Sequence, residues 1–299
     1  MKRLIKKLIP DSIHSLYRYY FHHGVLPNII HPKKFNEKIA LRMRRPKQFY
    51  ALLADKLAVR EYIKNRIGTD YLIPLLWQGD KLTINDWNHF PESFVIKANH
   101  ASGTNLIVTS KAEHAFSDVL SLTNSWLEMD FSRINFEKHY KYIKPSLMVE
   151  QLLVSDDGKI PYDYKVHCFN SKQGSKFFIQ VDYDRFEDNG DAHTRDFFDE
   201  DWNFIPFTLD HPNSTIPAEK PNKLDELLSL SKKLSEGLAY VRIDWYIVNN
   251  KPLFGEITLT HGCAGETFNP EKYNDIWGEL WNDDYEEKYN ENKSSEQAS

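Results

Sequence analysis

Two acidic residues, Asp244 and Glu256, stand in an otherwise apolar stretch that reads YVRIDWYIVNNKPLFGEITLT from residue 240 to residue 260. The alternation of apolar and polar residues on either side of Asn249 predicts a β-hairpin. Like charges that face each other on adjacent strands are destabilising. A hard divalent cation removes that cost, and magnesium is commonly held by one or two carboxylates together with substrate phosphates. The stretch therefore predicts a magnesium site, provided that the hairpin places the two carboxylates side by side.

The register of this hairpin decides whether the carboxylates meet. A two-residue turn at Asn249 and Asn250 would put Asp244 and Glu256 on opposite faces. A loop of three residues would place Asp244 opposite Glu256, and it alone separates apolar from polar side chains cleanly. We therefore expect the three-residue loop, which also sets Arg242 opposite Thr258. An alternative stays open in the same register, in which Arg242 neutralises both carboxylates as a structural ion pair.

A second group of candidates lies in FVIKANHASGTNLIV, residues 94–108, where a predicted strand carrying Lys97 runs into small and polar residues. Backbone N–H groups and hydroxyls in such a loop can cradle phosphate oxygens, and a lysine adds positive charge. The alternative is a polar hairpin loop with a solvent-facing lysine. The candidate phosphate-binding residues are Lys97, His100, Ser102, Gly103, Thr104 and Asn105.

Two more polar groups interrupt predicted strands. Glu150 and Gln151 break the apolar run LMVEQLLV, where a carboxylate and nearby backbone groups can bind a ribose and an adenine edge; the alternative is a strand edge that turns polar. Asp163 and Lys165 precede a second acidic and basic group, Asp182, Asp184 and Arg185. Lys165 can face phosphates there, or the two strands can form a salt-bridged surface.

The elements that must position these residues are of mixed type. Apolar spacing predicts helices over residues 11–23, 35–67, 112–140 and 223–238. Strands are predicted over residues 72–80, 93–110 with an internal loop, 146–154, 163–170 and 175–184. The pattern lacks regular βαβ alternation and indicates an α+β protein with mainly antiparallel sheets. No standard Rossmann, P-loop or zinc-protease motif occurs.

Composition gives few further constraints. The chain has 299 residues, of which 41% are hydrophobic and 27% charged, as is usual for soluble globular proteins. Cys168 and Cys263 match no zinc or redox spacing, and no secretory signal or long apolar run is readable. We therefore expect a cytoplasmic protein.

Positive charge is concentrated at the N-terminus. Residues 1–50 contain 12 lysines and arginines against two acidic residues, although the net charge of the chain is −5. A basic segment of this kind favours contact with an anionic membrane or polymer, at the inner face of the membrane for a cytoplasmic protein. The alternative is a solvated helix face. No basic stripe interleaved with aromatic residues follows, so nucleic acid is not an expected partner.

In this order along the chain, these groups resemble the ATP-grasp superfamily, and more narrowly its branch named for teichuronopeptide biosynthesis (TupA-like). The resemblance covers residues 33–281 and rests on several phrases: KKFNEKIA, ADKLAVREYI, YLIPLLW, FVIKANHASGTN, KPSLMVEQLL, DYKVHCF, FFDEDWN, VRIDWY and FGEITLTHGCAG. It implies an ATP-grasp fold, with two α+β lobes and mainly antiparallel sheets that grip ATP, preceded by a helical basic N-terminal segment.

The resemblance also implies roles for individual residues. Lys97 and the loop from His100 to Asn105 would bind the phosphates of ATP, and Glu150, Gln151, Leu152 and Leu153 would bind adenine and ribose. Asp244 and Glu256 would hold magnesium. Arg242 and Lys165 would be the catalytic cations, and residues 260–266 would face the acceptor.

One position departs from the family pattern. Thr258 stands where most ATP-grasp enzymes have an asparagine that binds metal. Its hydroxyl can still coordinate magnesium, but a second ion would be held more weakly.

The implied activity is an ATP- and magnesium-dependent carboxylate–amine ligase that acts through an acyl phosphate. Its substrates would be an amino acid or amine and a uronic-acid-containing surface polysaccharide or precursor. Alternatives are a glycosyltransferase, an ATP-dependent sugar kinase and a non-catalytic binding module. The expected divisions are a basic helical segment (1–50), a phosphate-loop lobe (51–150), a lobe with the metal hairpin (151–282) and a disordered tail (283–299).

Overall fold

The computed structural model describes residues 11–155, 158, 160–183 and 193–286. The α-helices of this part are α1 (Asp11–His23), α2 (Phe35–Arg44), α3 (Gln48–Ala54), α4 (Val59–Ile67), α5 (Ile84–His89), α6 (Phe116–Leu127), α7 (Leu224–Ser235) and α8 (Lys272–Leu280). The strands are β1 (Leu75–Gly79), β2 (Phe94–Ala98), β3 (Asn105–Val108), β4 (Leu147–Gln151), β5 (Asp163–Ser171), β6 (Gly174–Asp182), β7 (Arg195–Phe198), β8 (Thr208–Leu209), β9 (Tyr240–Val248), β10 (Lys251–Thr258) and β11 (Phe268–Asn269).

These elements form two compact units. Pro46–Pro161 form one, here called the four-stranded unit, and the described residues before Pro46 and after Pro161 form the other, the five-stranded unit. The domain boundaries predicted from the sequence, at residues 50 and 150, remain predictions. The compact units of the structure divide after Arg45 and after Pro161.

The four-stranded unit is built on a sheet with strand order β1-β4-β2-β3, in which all pairs are antiparallel. Strand β2 alternates between buried and half-buried residues, so Phe94 and Ile96 enter the core while Lys97 is left on the other face. The apolar side of the sheet packs on Trp87 and Trp126 from α5 and α6. This packing fixes the strand that carries Lys97.

The five-stranded unit has the strand order β10-β9-β5-β6-β7, again with antiparallel pairs, and a small ribbon of β8 and β11. Phe35 of α2 is fully buried in an aromatic cluster with Tyr240 and Trp277. The other face of the sheet packs on α7, where Trp245 donates a hydrogen bond of 2.9 Å to Ser231. The sheet therefore has a covered face on each side.

The described residues of the basic segment up to Arg45 belong to this unit. Arg42 is 6% exposed and donates hydrogen bonds to the carbonyl oxygens of Tyr240 (2.6 Å) and Leu259 (3.2 Å). Lys38 reaches the carbonyl oxygen of Trp281. Two of the basic side chains thus stabilise the fold and are not available as a free charged face, while the lysines and arginines of residues 1–10 lie outside the described residues.

Two predicted helices are shorter than expected. The helix predicted over 35–67 is interrupted after Arg44, since Pro46 cannot continue it, and again before Val59. It ends as predicted at Gly68. The helix predicted over 112–140 ends at Leu127, and Phe136 has a φ of 63°, which a right-handed helix cannot accommodate.

The predicted disordered tail begins too early. Glu286 is 6% exposed and contacts Arg42 with an oxygen–nitrogen distance of 3.3 Å, so residues 283–286 belong to the folded unit. The remainder of that tail, residues 287–299, lies outside the described residues. No helix of the described part is long and apolar enough to cross a membrane.

Candidate active site

The hairpin formed by β9 and β10 combines the two registers considered from the sequence. Near the turn the pairing follows the two-residue turn, with Lys251 opposite Val248 and Phe254 opposite Trp245. A β-bulge then shifts the pairing between Phe254 and Glu256. Beyond it Glu256 lies opposite Asp244, and Thr258 lies opposite Arg242. The predicted opposition of the carboxylates is confirmed, but the predicted three-residue loop is wrong.

Local residue types explain this geometry. Asn249 and Asn250 have φ values of 49° and 57°, the left-handed conformation of a type I′ turn that asparagine tolerates. Gly255 is the residue inserted at the bulge. A Cβ atom there would lie 3.0 Å from the carbonyl oxygen of Asp244, so a larger residue would press on the strand that carries this carboxylate.

Arg242 lies between the two carboxylates. Its guanidinium donates two hydrogen bonds of 2.7 Å to the two oxygens of Asp244. The same group donates to Thr258 Oγ1 at 2.9 Å and approaches Glu256 Oε1 at 3.4 Å. Asp244 is buried, whereas the side chain of Glu256 is 35% exposed. The like charges are thus separated by a cation that belongs to the protein.

A chain of alternating charges continues from Arg242. Its Nη1 donates to His261 Nδ1 at 2.6 Å, so the neutral imidazole carries its proton on Nε2, and this nitrogen lies 2.5 Å from Glu266 Oε2. Glu266 Oε1 accepts a hydrogen bond of 3.0 Å from Arg195. Arg195 Nε donates in turn to Asp182 at 2.6 Å.

Lys165 closes the network on the next strand. It is 2% exposed, lies directly opposite Asp244 in the β5–β9 pair, and contacts Asp182 at 3.0 Å and also Asp163. The salt-bridged surface considered from the sequence is therefore wrong in one respect, because these groups are buried. Asp184 and Arg185 of the same prediction lie outside the described residues.

Burial and neighbouring charges shift several pKa values in this network. Burial raises the pKa of Glu266, but His261 and Arg195 more than offset it and bring this pKa to about 2. Burial lowers the pKa of His261, which keeps the imidazole neutral. Burial also lowers the pKa of Arg242, but Asp244 and Glu256 outweigh it and hold this pKa above its ordinary value. Burial raises the pKa of Asp244 to about 7, because Arg242 and Lys165 offset only part of the effect of burial. Glu266 and Arg242 therefore stay ionised at neutral pH beside a neutral histidine, whereas Asp244 takes up a proton near neutral pH.

The donor set of the hairpin fits magnesium. Asp244, Glu256 and Thr258 offer only oxygen atoms, which is the ligand type that magnesium selects. No group of three or more histidine, cysteine or acidic side chains in the described residues could hold a metal by itself. A magnesium ion here would need phosphate oxygens or water as its remaining ligands.

In the four-stranded unit, Lys97 is paired with Glu150. Its ammonium lies 2.7 Å from Glu150 Oε2, and the guanidinium of Arg60 lies 2.9 Å from Glu150 Oε1. The side chain of Lys97 keeps 19% of its surface exposed, so it is not the solvent-facing lysine of the alternative. One carboxylate thus serves two cations, which leaves net positive charge beside the loop.

The loop between β2 and β3 is fastened at its base. The Asn99 amide donates to Asp55 and to the carbonyl oxygen of Lys144, and its oxygen accepts from the Ser146 N–H at 2.8 Å. Lys56 donates to the carbonyl oxygen of Ala101 at 2.6 Å. These contacts position the loop without using its outer residues.

The predicted phosphate-binding residues divide into two groups. His100 and Thr104 are buried and help to hold the loop, whereas Ser102, Gly103 and Asn105 are exposed. Gly103 has a φ of 72°, with open space where a Cβ would be. Only the exposed group presents backbone and hydroxyl donors outward.

The predicted hinge begins where the β4 pairing ends. Glu150 is buried in its ion pairs, so its carboxylate acts within the sheet. Gln151 is exposed, and its N–H donates to the carbonyl oxygen of Pro74. Leu152 and Leu153 are half-buried and follow as irregular backbone.

Several residues of these networks were missed by the sequence reasoning. Arg195 meets Asp182 only through the pairing of β6 with β7, and Arg60 reaches Glu150 from a helix 90 positions earlier. His261 and Glu266 belong to a segment assigned to the acceptor, but their contacts with Arg242 and Arg195 were not foreseen. The sequence signal for Arg195 was an arginine next to the apolar residues of TRDFFDE.

The chain folds into two α+β units with antiparallel sheets. One unit carries a lysine beside a small-residue loop, and the other carries an acidic hairpin. This is the ATP-grasp fold predicted from the sequence. The chain belongs to the TupA-like ATPgrasp family, which it matches over residues 37–282. A comparison with curated proteins found no match.

Solved structures with a similar fold include D-alanine–D-alanine ligase from Helicobacter pylori, with 17% identity, a TM-score of 0.43, and coverage of 78% of this chain and 64% of that one. Phosphoribosylamine–glycine ligase from Thermotoga maritima has 17% identity and a TM-score of 0.40, with coverage of 72% and 49%. An ADP complex of N5-carboxyaminoimidazole ribonucleotide synthetase has 9% identity and a TM-score of 0.45, with coverage of 71% and 46%. This chain thus spans less than two thirds of the length of these three proteins.

Proposed function

We propose that this protein is an ATP- and magnesium-dependent ligase that joins a carboxylate to an amine through an acyl phosphate. The observation that carries the proposal is the opposition of Asp244 and Glu256 beside Arg242, in a chain of the TupA-like ATPgrasp family. Arg242 donates its two short hydrogen bonds to Asp244 and only approaches Glu256 at 3.4 Å, so the 35% exposed Glu256 side chain can still offer carboxylate oxygen to a magnesium ion that phosphates complete.

In the proposed reaction, an oxygen of the substrate carboxylate takes the terminal phosphoryl group of ATP, and ADP leaves. The amine of the second substrate attacks the acyl carbon, the carbon–oxygen bond to phosphate breaks, and the released phosphate takes up the amine proton. The product is an amide. No covalent bond to the protein is needed, so catalysis depends on positioning and electrostatics.

The residues of the five-stranded unit would provide the charge for this step. Asp244, Glu256 and Thr258 would hold magnesium, which when bound supplies positive charge to phosphate oxygens. Arg242 is held by Asp244 and His261, so its guanidinium is oriented in advance and can stabilise negative charge at little reorganisation cost. Lys165, fixed between two carboxylates, would be the second catalytic cation.

The residues of the four-stranded unit would bind the nucleotide. Lys97 would contact phosphates, together with the loop formed by His100, Ser102, Gly103, Thr104 and Asn105. Glu150 would orient Lys97 through their ion pair. The backbone of Gln151, Leu152 and Leu153 would bind the adenine edge and ribose.

The substrates we propose are an amino acid or amine and a uronic-acid-containing surface polysaccharide or its precursor. Resemblance to the branch named for teichuronopeptide biosynthesis supports this choice. A cytoplasmic location follows for an enzyme that uses ATP, with contact between residues 1–50 and an anionic membrane or polymer as a further proposal.

The test is the release of ADP and phosphate by the full chain with magnesium, screened over amino acids and uronic-acid oligosaccharides. A ligase should release both products only when carboxylate and amine are present together. ADP release without phosphate would indicate a sugar kinase, and turnover of a nucleotide sugar would indicate a glycosyltransferase. No binding of ATP at millimolar concentration would indicate a non-catalytic module.

A further inference from the structure

The five-stranded unit contains a cavity that the proposed ATP and metal residues do not use. Its volume is about 640 Å³, within the range of small-molecule sites. Tyr162, Tyr164 and Tyr183 line one side, and the loop from Ser214 to Asn222 lines the other. Neighbouring residues of a strand point to opposite faces, so Tyr164 lies on the face of the sheet opposite to Lys165. The cavity is therefore separate from the ion-pair network.

The loop that forms the outer wall is held by buried polar groups. Tyr183 Oη accepts a hydrogen bond from the Ala218 N–H at 2.7 Å and donates one of 2.9 Å to Asp196. Asp196 is fully buried and also accepts from the Ser214 N–H at 3.0 Å. Trp202 Nε1 donates to the carbonyl oxygen of Ala218 at 3.1 Å. Three of these hydrogen bonds hold the loop directly, at Ser214 and Ala218, so the loop is fixed beside Tyr183 as one wall of the cavity.

The chemistry of the lining restricts what the cavity can bind. The ring of Tyr162 is half exposed and lies 5.5 Å from that of Tyr183, so an aromatic surface is presented. Glu219 and Lys220 lie on the opposite wall. Lys220 is the only cation among the lining residues, and Glu219 beside it carries a negative charge. A lining of this kind suits neither a phosphorylated nor a purely apolar ligand.

We propose that this cavity is a saccharide-binding site that holds the glycan away from the reaction centre. A sugar ring has an apolar C–H face, which matches the Tyr162 ring, and a rim of hydroxyls, which matches Glu219, Lys220 and Asn222 as hydrogen-bond partners. A carboxylate on the sugar would pair with Lys220. The choice of a uronic sugar rests on the proposed function, but the site itself does not.

The test measures binding of a hyaluronan tetrasaccharide and of maltotetraose to the full chain by calorimetry, without ATP or amine. We expect the acidic tetrasaccharide to bind, and Tyr162→Ala to weaken it at least tenfold, while Tyr162→Phe retains it because the ring remains. Lys220→Ser should weaken the acidic probe more than the neutral one. The matched control Tyr142→Ala, at a tyrosine 57% exposed in the other unit, should bind like the unmodified protein.

Binding of neither saccharide at millimolar concentration would overturn the proposal, as would a Tyr162→Ala variant, folded by circular dichroism, that binds both unchanged. Binding of a proline-rich peptide in place of the saccharides would also overturn it and would assign the cavity to a protein partner. Because the assay contains no reaction, its result does not depend on whether the ligase activity is found.

Discussion

The two sheets hold their candidate catalytic lysines in different surroundings. Lys165 of the five-stranded sheet is 2% exposed, contacts two carboxylates and lies opposite a third. The side chain of Lys97 in the four-stranded sheet is 19% exposed and shares one carboxylate with Arg60. Lys165 thus belongs to a buried ion-pair network, while Lys97 is partly exposed beside an exposed loop.

This difference separates two ways of preparing a charged site. Burial of several ion pairs carries a large desolvation cost, which is offset only when every member has its partners. Such a network is rigid, and Arg242 is oriented within it before any ligand binds. The loop beside Lys97 is fastened only at its base, so its exposed residues can adapt to phosphates. We therefore expect substitutions in the five-stranded sheet to lower the stability strongly, and substitutions beside Lys97 in the four-stranded sheet to act mainly on ligand binding.

The largest effect is expected for Asp182→Asn. Lys165 and Arg195 would lose a shared buried carboxylate, and breaking one partner of a buried pair costs about 3–5 kcal/mol. Urea unfolding at pH 7 measures this loss. Asp80→Asn is the matched control, because its partner Lys144 is 79% exposed and little change is expected. Equal stability of the two variants would contradict the distinction between the sheets.

Acid should weaken the network in a defined window. The pKa of Glu266 is depressed to about 2 from an unfolded value near 4.5, so its stabilising contribution is complete above pH 4.5 and is lost as the pH falls toward 2. The shift corresponds to a contribution on the order of 3 kcal/mol at neutral pH. In unfolding measurements between pH 2 and pH 7, Glu266→Gln should show a smaller loss of stability on acidification. A parallel pH profile for the variant and the unmodified protein would refute this assignment.

Lys97→Met should act mainly on binding. Removal of a cation beside the loop should weaken the binding of ATP at least tenfold, which corresponds to about 1.4 kcal/mol, as measured by calorimetry. The control Lys144→Met removes an exposed lysine of the same unit and should leave ATP affinity unchanged. If both variants bind ATP like the unmodified protein, the loop is not the phosphate site.

The smallest effect is expected at the loop tip. Gly103→Ala places a Cβ at a φ of 72°, which costs about 1 kcal/mol although the surrounding space is open. The melting temperature should fall by about 2–4 °C. Ser102→Ala changes an exposed neighbour without this strain and should not shift the melting temperature. Equal melting temperatures for both variants would show that the tip relaxes.

The sequence predicted those features that depend on local patterns. Alternation in β9 and β10 and the polar pair Asp244 and Glu256 were enough to place the carboxylates opposite each other. The bulge beside Gly255 was not predictable, because a uniform register accounted for the same polarity pattern. Asp244 and Glu256 therefore face each other as predicted, but through a two-residue turn and a bulge and not through a three-residue loop.

Long-range partners could not be predicted in the same way. Arg195 enters the site through the pairing of β6 with β7, and Arg42 crosses from α2 to the carbonyl oxygens of β9 and the residue after β10. Neither contact leaves a spacing signal in one sequence. Only the folded sheet shows that the charged residues of six separate segments form one network.

The most direct test of the magnesium assignment is the binding of ADP to Glu256→Gln with and without magnesium, together with its melting temperature. Magnesium should strengthen ADP binding at least tenfold in the unmodified protein and far less in the variant, since glutamine lacks the charge that the ion requires. The melting temperature should hardly change, because the Glu256 side chain is 35% exposed and its contact with Arg242 is long, at 3.4 Å. A variant that melts lower yet retains the full magnesium effect would contradict the account and leave Glu256 as a structural partner of Arg242.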